Sequence, residues 1–146
     1  MKFLVINGPN LNLLGRREPD IYGKRDYAAL CEHVKAAAAA EGIEIDIMQT
    51  NHEGVIIDAI QDAIGKYDGI VINPAAYTHT SVAIADAIAA VGIPTAEAHL
   101  SDVDTREDFR RISFVTPVCA LRVKGLGFDS YSKAISDLAT YIRAKS

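Results

Sequence analysis

Lys2-Phe3-Leu4-Val5-Ile6-Asn7-Gly8-Pro9-Asn10-Leu11-Asn12-Leu13-Leu14-Gly15-Arg16-Arg17-Glu18-Pro19-Asp20-Ile21-Tyr22-Gly23 is the stretch on which the reading of this chain turns. Its first part is a short apolar run rich in residues that suit a strand buried on both faces. Its second part cannot be a long helix, because Gly8, Pro9, Gly15, Pro19 and Gly23 interrupt it throughout. Three Asn side chains, two adjacent Arg and a Tyr supply amide dipoles, fixed positive charge and a phenol. Long loops in compact domains are usually functional or disordered. Leu11, Leu13, Leu14 and Ile21 argue against disorder, since a solvated tail gains nothing from them. The stretch reads as a strand emptying into a loop that partly docks and partly closes over a ligand.

Outward from this strand, short β-branched runs alternate with segments of helical period, the pattern of βαβ units around a parallel sheet. Strands are expected at Lys2 to Asn7, Ile43 to Gln49, Gly69 to Asn73, Ile93 to His99 and Val118 to Val123. Tyr27, Leu30, Cys31 and Val34 share one helical face, as do Val55, Ile56, Ala59, Ile60, Ala63 and Ile64. A third helix carries Ile84, Ile88 and Val91, and a fourth Tyr131, Ala134, Ile135, Leu138 and Ile142. Thr105 is expected to cap a short helix opening with Arg106-Glu107-Asp108. The run Ala36 to Ala40 simply favours helix. Right-handed crossovers then point to a flavodoxin-like three-layer α/β/α sandwich with a five-stranded parallel sheet in the order 2-1-3-4-5. One domain over residues 1–146 suffices for a chain of this length.

A hydrophobic content of 49% with 23% charged residues is ordinary for a globular chain, and the formal net charge of −4 argues against a nucleic-acid surface. No apolar run approaches bilayer length, and Met1-Lys2 enters a strand without a signal-like segment. The expectation is a cytoplasmic protein without a membrane partner. Cys31 and Cys119 match no ligand or redox spacing and read as small buried side chains.

In doubly wound sheets, ligands collect beyond the carboxyl ends of the strands at the point where strand order reverses. Here those ends are polar. The first strand exits into Asn7, the third into Asn73-Pro74-Ala75-Ala76-Tyr77-Thr78-His79, and the fourth into Glu97-Ala98-His99-Leu100-Ser101. Asn or His at a buried strand end loses hydrophobic free energy unless it is bonded, so three such loops converging favour a polar ligand site. Glu97 and His99, two apart on a strand, point to the same face, which lets the carboxylate orient the imidazole.

Taken together, the blocks Asn7-Gly8-Pro9-Asn10-Leu11-Asn12-Leu13-Leu14-Gly15 with Arg17-Glu18-Pro19 and Tyr22-Gly23, Asn73-Pro74 with Tyr77-Thr78-His79-Thr80-Ser81-Val82-Ala83, and Glu97 with His99-Leu100-Ser101 and Arg106-Glu107, Phe109-Arg110 resemble type II 3-dehydroquinate dehydratases over nearly the whole chain. The resemblance implies dehydration of 3-dehydroquinate to 3-dehydroshikimate by anti elimination through an enolate, without cofactor, metal or lysine imine. It makes Tyr22 the base, with Arg17 holding its phenolate form, and His99 the general acid, with Glu97 behind it. Asn10 and Asn73 position the reacting region and the enolate, and Leu100 and Ser101 seat the substrate carboxylate. Arg106 is a further cation beside the site, while His79, Arg110 and, from a neighbouring subunit, Asp86 complete the binding shell. The resemblance also implies a homo-oligomer, trimers grouped into a dodecamer.

Several features depart from the family pattern. Asp102 stands where Asn is usual and Asp104 where His is usual, Ala85 replaces a common Arg, and Tyr131 is not preceded by Gly. The two aspartates are expected to pair with Arg106, Arg110 or Arg111, which lie within about a helical turn of one another. Competing readings are weaker. A flavin site lacks a phosphate cradle after the first strand, a receiver module lacks an acidic cluster there, and no GxSxG elbow marks a hydrolase. His33 and His52 read as solvent or capping residues, and His52, His79 and His99 show no metal-ligand spacing.

Overall fold

The computed structural model describes residues 1–16 and 25–146. Five parallel strands, β1 (Lys2–Asn7), β2 (Glu44–Gln49), β3 (Gly69–Asn73), β4 (Thr95–His99) and β5 (Leu121–Lys124), lie in the order β2-β1-β3-β4-β5. The helices are α1 (Tyr27–Ala40), α2 (Glu53–Asp62), α3 (Val82–Val91) and α4 (Asp129–Lys145). Two apolar layers flank the sheet. Leu30 and Val34 of α1 and Tyr131, Ile135 and Leu138 of α4 pack with Phe3, Val5 and Val71 on one face. Ile56 and Ile60 of α2 and Ile84 and Ile88 of α3 pack with Leu4, Ile6, Ile70 and Ile72 on the other. Residues of opposite parity in β1 and β3 therefore serve opposite layers, which is why both strands are apolar along their length. The α/β/α sandwich and strand order are as the periodicity implied.

Local chemistry sets the element ends. Asp26 caps α1 by accepting from the Ala29 amide at 2.9 Å, and Ser81 caps α3 by accepting from Ile84 at 3.0 Å. β2 begins one residue later than expected because the Ile43 amide still bonds to the Ala38 carbonyl at the end of α1. β4 begins at Thr95, after Pro94, which has no amide hydrogen for the ladder. β5 is displaced more. Residues Thr116–Val118 form a 3-10 turn started by Pro117, so Val118 is not a strand residue and the strand runs Leu121–Lys124.

Four further expectations are corrected. Val55 and Ile64 are exposed, leaving Ile56 and Ile60 of α2, with Ala63 just after it, as the inward line. Thr105 caps no helix: its hydroxyl donates to the Asp102 carbonyl, and the Asp102 carboxylate accepts from the Asp104 amide in a 3-10 turn over Val103–Thr105. A second 3-10 turn follows at Asp108–Arg111. Cys31 and Cys119 are half-buried rather than fully so. His52 sits exposed at the start of α2 without capping it. His33 is half-buried, with Nε2 2.5 Å from the Ser132 hydroxyl.

The switch point is drawn together by two devices. Gly8 leaves β1 against the chain that follows β3, its amide donating to the Asn73 carbonyl at 2.8 Å. A Cβ on Gly8 would lie 2.5 Å from the Pro74 carbonyl oxygen, so only glycine permits this approach. Below it, the fully buried Tyr131 of α4 links both strand ends: its hydroxyl donates to Asn7 Oδ1 at 2.7 Å and accepts from Asn73 Nδ2 at 2.8 Å. Asn7 Nδ2 in turn donates to the Tyr27 hydroxyl at 3.3 Å. Burial raises the Tyr131 phenol well above its ordinary value, so it stays a neutral donor and acceptor in this chain.

Candidate active site

Beyond the carboxyl ends of β1, β3 and β4 lies a cavity of about 210 Å³. Its wall includes Asn10, Asn73, His79, His99, Leu100, Ser101, Arg106 and Arg110, all singled out in the sequence. Pro9, Leu11, Leu14, Ala75, Ala76 and Val103 supply the apolar remainder. No carboxylate lines it among the described residues, while two arginines and two histidines do. That balance suits an anionic, hydroxylated ligand.

The backbone is unusual on both sides of the cavity. Asn10 and Ala75 are the non-glycine residues with positive φ among those described, at 71° and 54°. Neither conformation is favourable for an L-residue, and each is held by a side-chain acceptor: the Asn10 amide donates to Asn51 Oδ1, distant in sequence, and the Ala75 amide to Asn73 Oδ1, two residues back, each at 3.1 Å. The Asn73 amide group is thereby oriented, its nitrogen towards Tyr131 and its oxygen over the Ala75 amide.

Glu97 is fully buried directly behind His99. Its Oε2 lies 2.5 Å from His99 Nε2 and accepts from the Thr78 hydroxyl at 2.7 Å, and Thr116 donates to Oε1. Ser113 adds a longer contact of 3.3 Å and accepts the Val115 and Thr116 amides, which holds the 113–116 segment under the strand. Facing a carboxylate, Nε2 of His99 is the donor, leaving Nδ1 as the nitrogen available for other chemistry. His79 is held differently: its Nδ1 donates to the Ile112 carbonyl at 2.7 Å. Thr78 lay within a legible motif, but nothing marked Ser113 and Thr116 as partners of Glu97.

Burial alone would push the Glu97 carboxyl up; the bonds and charge of His99, with the Thr116 and Thr78 hydroxyls, outweigh it and hold the group at about 2, against an ordinary 4.5. Because the folded value is depressed, the stabilisation is complete above the unfolded value and is lost as pH falls towards the folded one. It is on the order of 3 kcal/mol for this near-fully buried group. Urea unfolding at fixed protein concentration is expected to show the wild type losing stability from about pH 4.5 towards pH 2. The Glu97→Gln variant should lose less over that interval; parallel curves would show that Glu97 is not the group concerned.

Other assignments fall differently. Asp86 is exposed on α3 and does not line the cavity of its own chain. Tyr22, Arg17 and the tip of the long loop lie outside the described residues. The expected pairing of Asp102 and Asp104 with arginines of the following segment is corrected: Asp102 pairs with Lys124 at 2.8 Å, and Asp104 with Arg122 at 3.0 Å and also with Lys124. Arg110 instead pairs with Glu107 at 2.5 Å and Arg111 with Asp108 at 3.5 Å. Short 3-10 turns in place of the expected helix direct these arginines to their own segment. Among the described residues no three His, Cys, Asp or Glu side chains could hold a metal ion, and no helix is long and apolar enough to cross a membrane.

The chain matches the model of the family described as dehydroquinase class II over residues 1–139. It is 51% identical over 138 residues to a 3-dehydroquinate dehydratase of Clostridium acetobutylicum, covering 94% of this chain and 96% of that protein. The type II dehydroquinase structure from Butyrivibrio crossotus superposes with a TM-score of 0.93 at 50% identity, covering 95% of this chain and 97% of that one. The corresponding protein from Propionibacterium acnes gives 0.90 at 39% identity, covering 95% and 96%. With the sheet order, the cavity at the switch point and the Glu97–His99 pair, these matches place the chain in the class II dehydroquinase family.

Proposed function

We propose that residues 1–146 form one catalytic domain that dehydrates 3-dehydroquinate to 3-dehydroshikimate. The observation that carries this reading is the buried Glu97–His99 pair at the wall of a cavity lined by arginines and by no carboxylate among the described residues. The substrate is a hydroxylated carboxylate with a ketone, so its site must bind an anion, support an enolate and deliver a proton to a departing hydroxyl.

Tyr22, as phenolate held by Arg17, takes the proton from the carbon beside the ketone, and the electron pair moves into an enolate. Asn10 and Asn73 place the reacting region and support the enolate oxygen, with an ordered water between protein and substrate. When the enolate collapses, the carbon–oxygen bond opposite breaks and His99 protonates the hydroxyl as it leaves as water, an anti elimination. Glu97 holds Nε2, so Nδ1 of His99 is the working nitrogen. The substrate carboxylate sits on the Leu100–Ser101 backbone and the Ser101 hydroxyl, with Arg106, Arg110 and His79 around the remaining oxygens. This sequence requires neither cofactor nor metal. Asp86, exposed on α3, joins the site of a neighbouring subunit in a homo-oligomer of trimers assembled into a dodecamer. The enzyme acts in the cytoplasm, in shikimate formation or quinate breakdown.

The test is direct. Adding protein to 3-dehydroquinate should produce a rising ultraviolet absorbance from the conjugated enone product. No rise at high enzyme concentration would remove the assignment.

A further inference from the structure

Asp102 and Asp104 put two carboxylates on either side of Val103, in the segment that follows the cavity-lining Leu100 and Ser101, although neither carboxylate lines the cavity itself. β5 supplies the counter-charges. In the parallel ladder Arg122 is paired with Glu97 and Lys124 with His99, so both cations stand beside the catalytic strand. Lys124 Nζ reaches Asp102 Oδ1 at 2.8 Å and also Asp104 Oδ2, while Arg122 Nη2 reaches Asp104 Oδ2 at 3.0 Å. Arg122 and Lys124 are about three-quarters withdrawn from solvent, with side-chain exposures of 21% and 26%. Arg122 also donates to the Thr116 hydroxyl at 3.4 Å, and that hydroxyl donates to Glu97. The backbone is tied the same way, the Gly127 amide just after β5 donating to the Leu100 carbonyl at 3.0 Å.

We infer that Arg122 and Lys124 are positioning residues for the substrate carboxylate: by pairing with Asp104 and Asp102 they hold the Leu100–Ser101 donors in register and cancel the two negative charges beside the anion. This rests on the assignment of Leu100–Ser101 to the carboxylate. The Lys124 ammonium holds both aspartates below the usual carboxylate range, so they are ionised at neutral pH and carry negative charge in the segment beside the carboxylate site. An isolated exposed ion pair contributes little to stability. The expected signature is therefore in substrate affinity, not in folding.

Steady-state kinetics with 3-dehydroquinate separate the roles. Lys124→Gln should raise KM by about tenfold at low salt with kcat within about threefold, and the excess should shrink towards wild type in about 0.5 M salt. Asp102→Asn combined with Lys124→Gln restores the charge balance and should return KM to within about threefold of wild type. Arg122→Gln is the parallel variant should Lys124→Gln not fold, and it should raise KM in the same salt-dependent way. Ser101→Ala is the control for the underlying assignment and should raise KM in the same assay. If Ser101→Ala raises KM but the cation variants stay within about twofold of wild type, the inference is overturned and the pairs are structural only. If Ser101→Ala leaves KM unchanged, the carboxylate assignment fails and the inference with it.

Discussion

Exchange of His99 for glutamine is expected to lower kcat by about 10²- to 10⁴-fold, the usual contribution of a positioned general acid. Glutamine keeps an amide nitrogen near the position of the ring Nε2, so the buried Glu97 carboxylate retains a donor besides Thr78 and Thr116. That choice matters, because removing the Nε2 donor altogether takes one hydrogen bond from the buried carboxylate, at a cost of about 1.5–3 kcal/mol for a bond to a charged group, and would confuse unfolding with loss of chemistry. KM should change only a few-fold, since a group acting in the transition state lowers kcat and kcat/KM together. Thermal unfolding close to wild type with this loss of turnover would establish the role; turnover within about fivefold of wild type would remove His99 from it.

Replacement of Tyr22 by phenylalanine is expected to have an effect of similar size. A phenol has a reference pKa of about 10, so its phenolate is scarce at neutral pH. Lowering that value by about 2–3 units takes about 3–4 kcal/mol of differential stabilisation, which Arg17, together with Arg106, must supply in a closed, partly dry site. Phenylalanine conserves the ring and loses the oxygen, so substrate should still bind while kcat falls by about 10²- to 10⁴-fold. Rapid-mixing turnover together with equilibrium binding of substrate to the inactive variant would check both halves. A variant with nearly full activity would pass the base to another group.

These two residues illustrate different kinds of legibility. His99 was marked by the strand that carries it and by Glu97 two positions earlier, and the structure brings the pair to 2.5 Å. Tyr22 was marked by its motif, and it lies outside the residues described. Eight of the singled-out residues do line one cavity. Their convergence follows from strand ends, because all the parallel strands present their carboxyl ends on the same side. Asn73 was legible as a site residue, but its tether to Tyr131 of α4 was not.

The sequence by itself determined the sheet. Apolar runs closed by Asn7-Gly8-Pro9 after β1 and bounded by Gly69 and Asn73-Pro74 at β3 marked those strands, and right-handed crossovers left the order β2-β1-β3-β4-β5 as the natural solution. Those signals are local, carried by backbone freedom and by alternation within a few residues. What surrounds Glu97, and what neutralises Asp102 and Asp104, was decided by tertiary structure. Ser113 and Thr116 reach Glu97 because the chain from the 3-10 turn at Asp108–Arg111 passes back beneath β4. The aspartates go to Lys124 and Arg122 because β5 pairs in parallel with β4, setting those cations opposite His99 and Glu97. Nearby arginines made a local pairing reasonable, but charges pair across space, and the nearest cation in the fold need not be near in the chain.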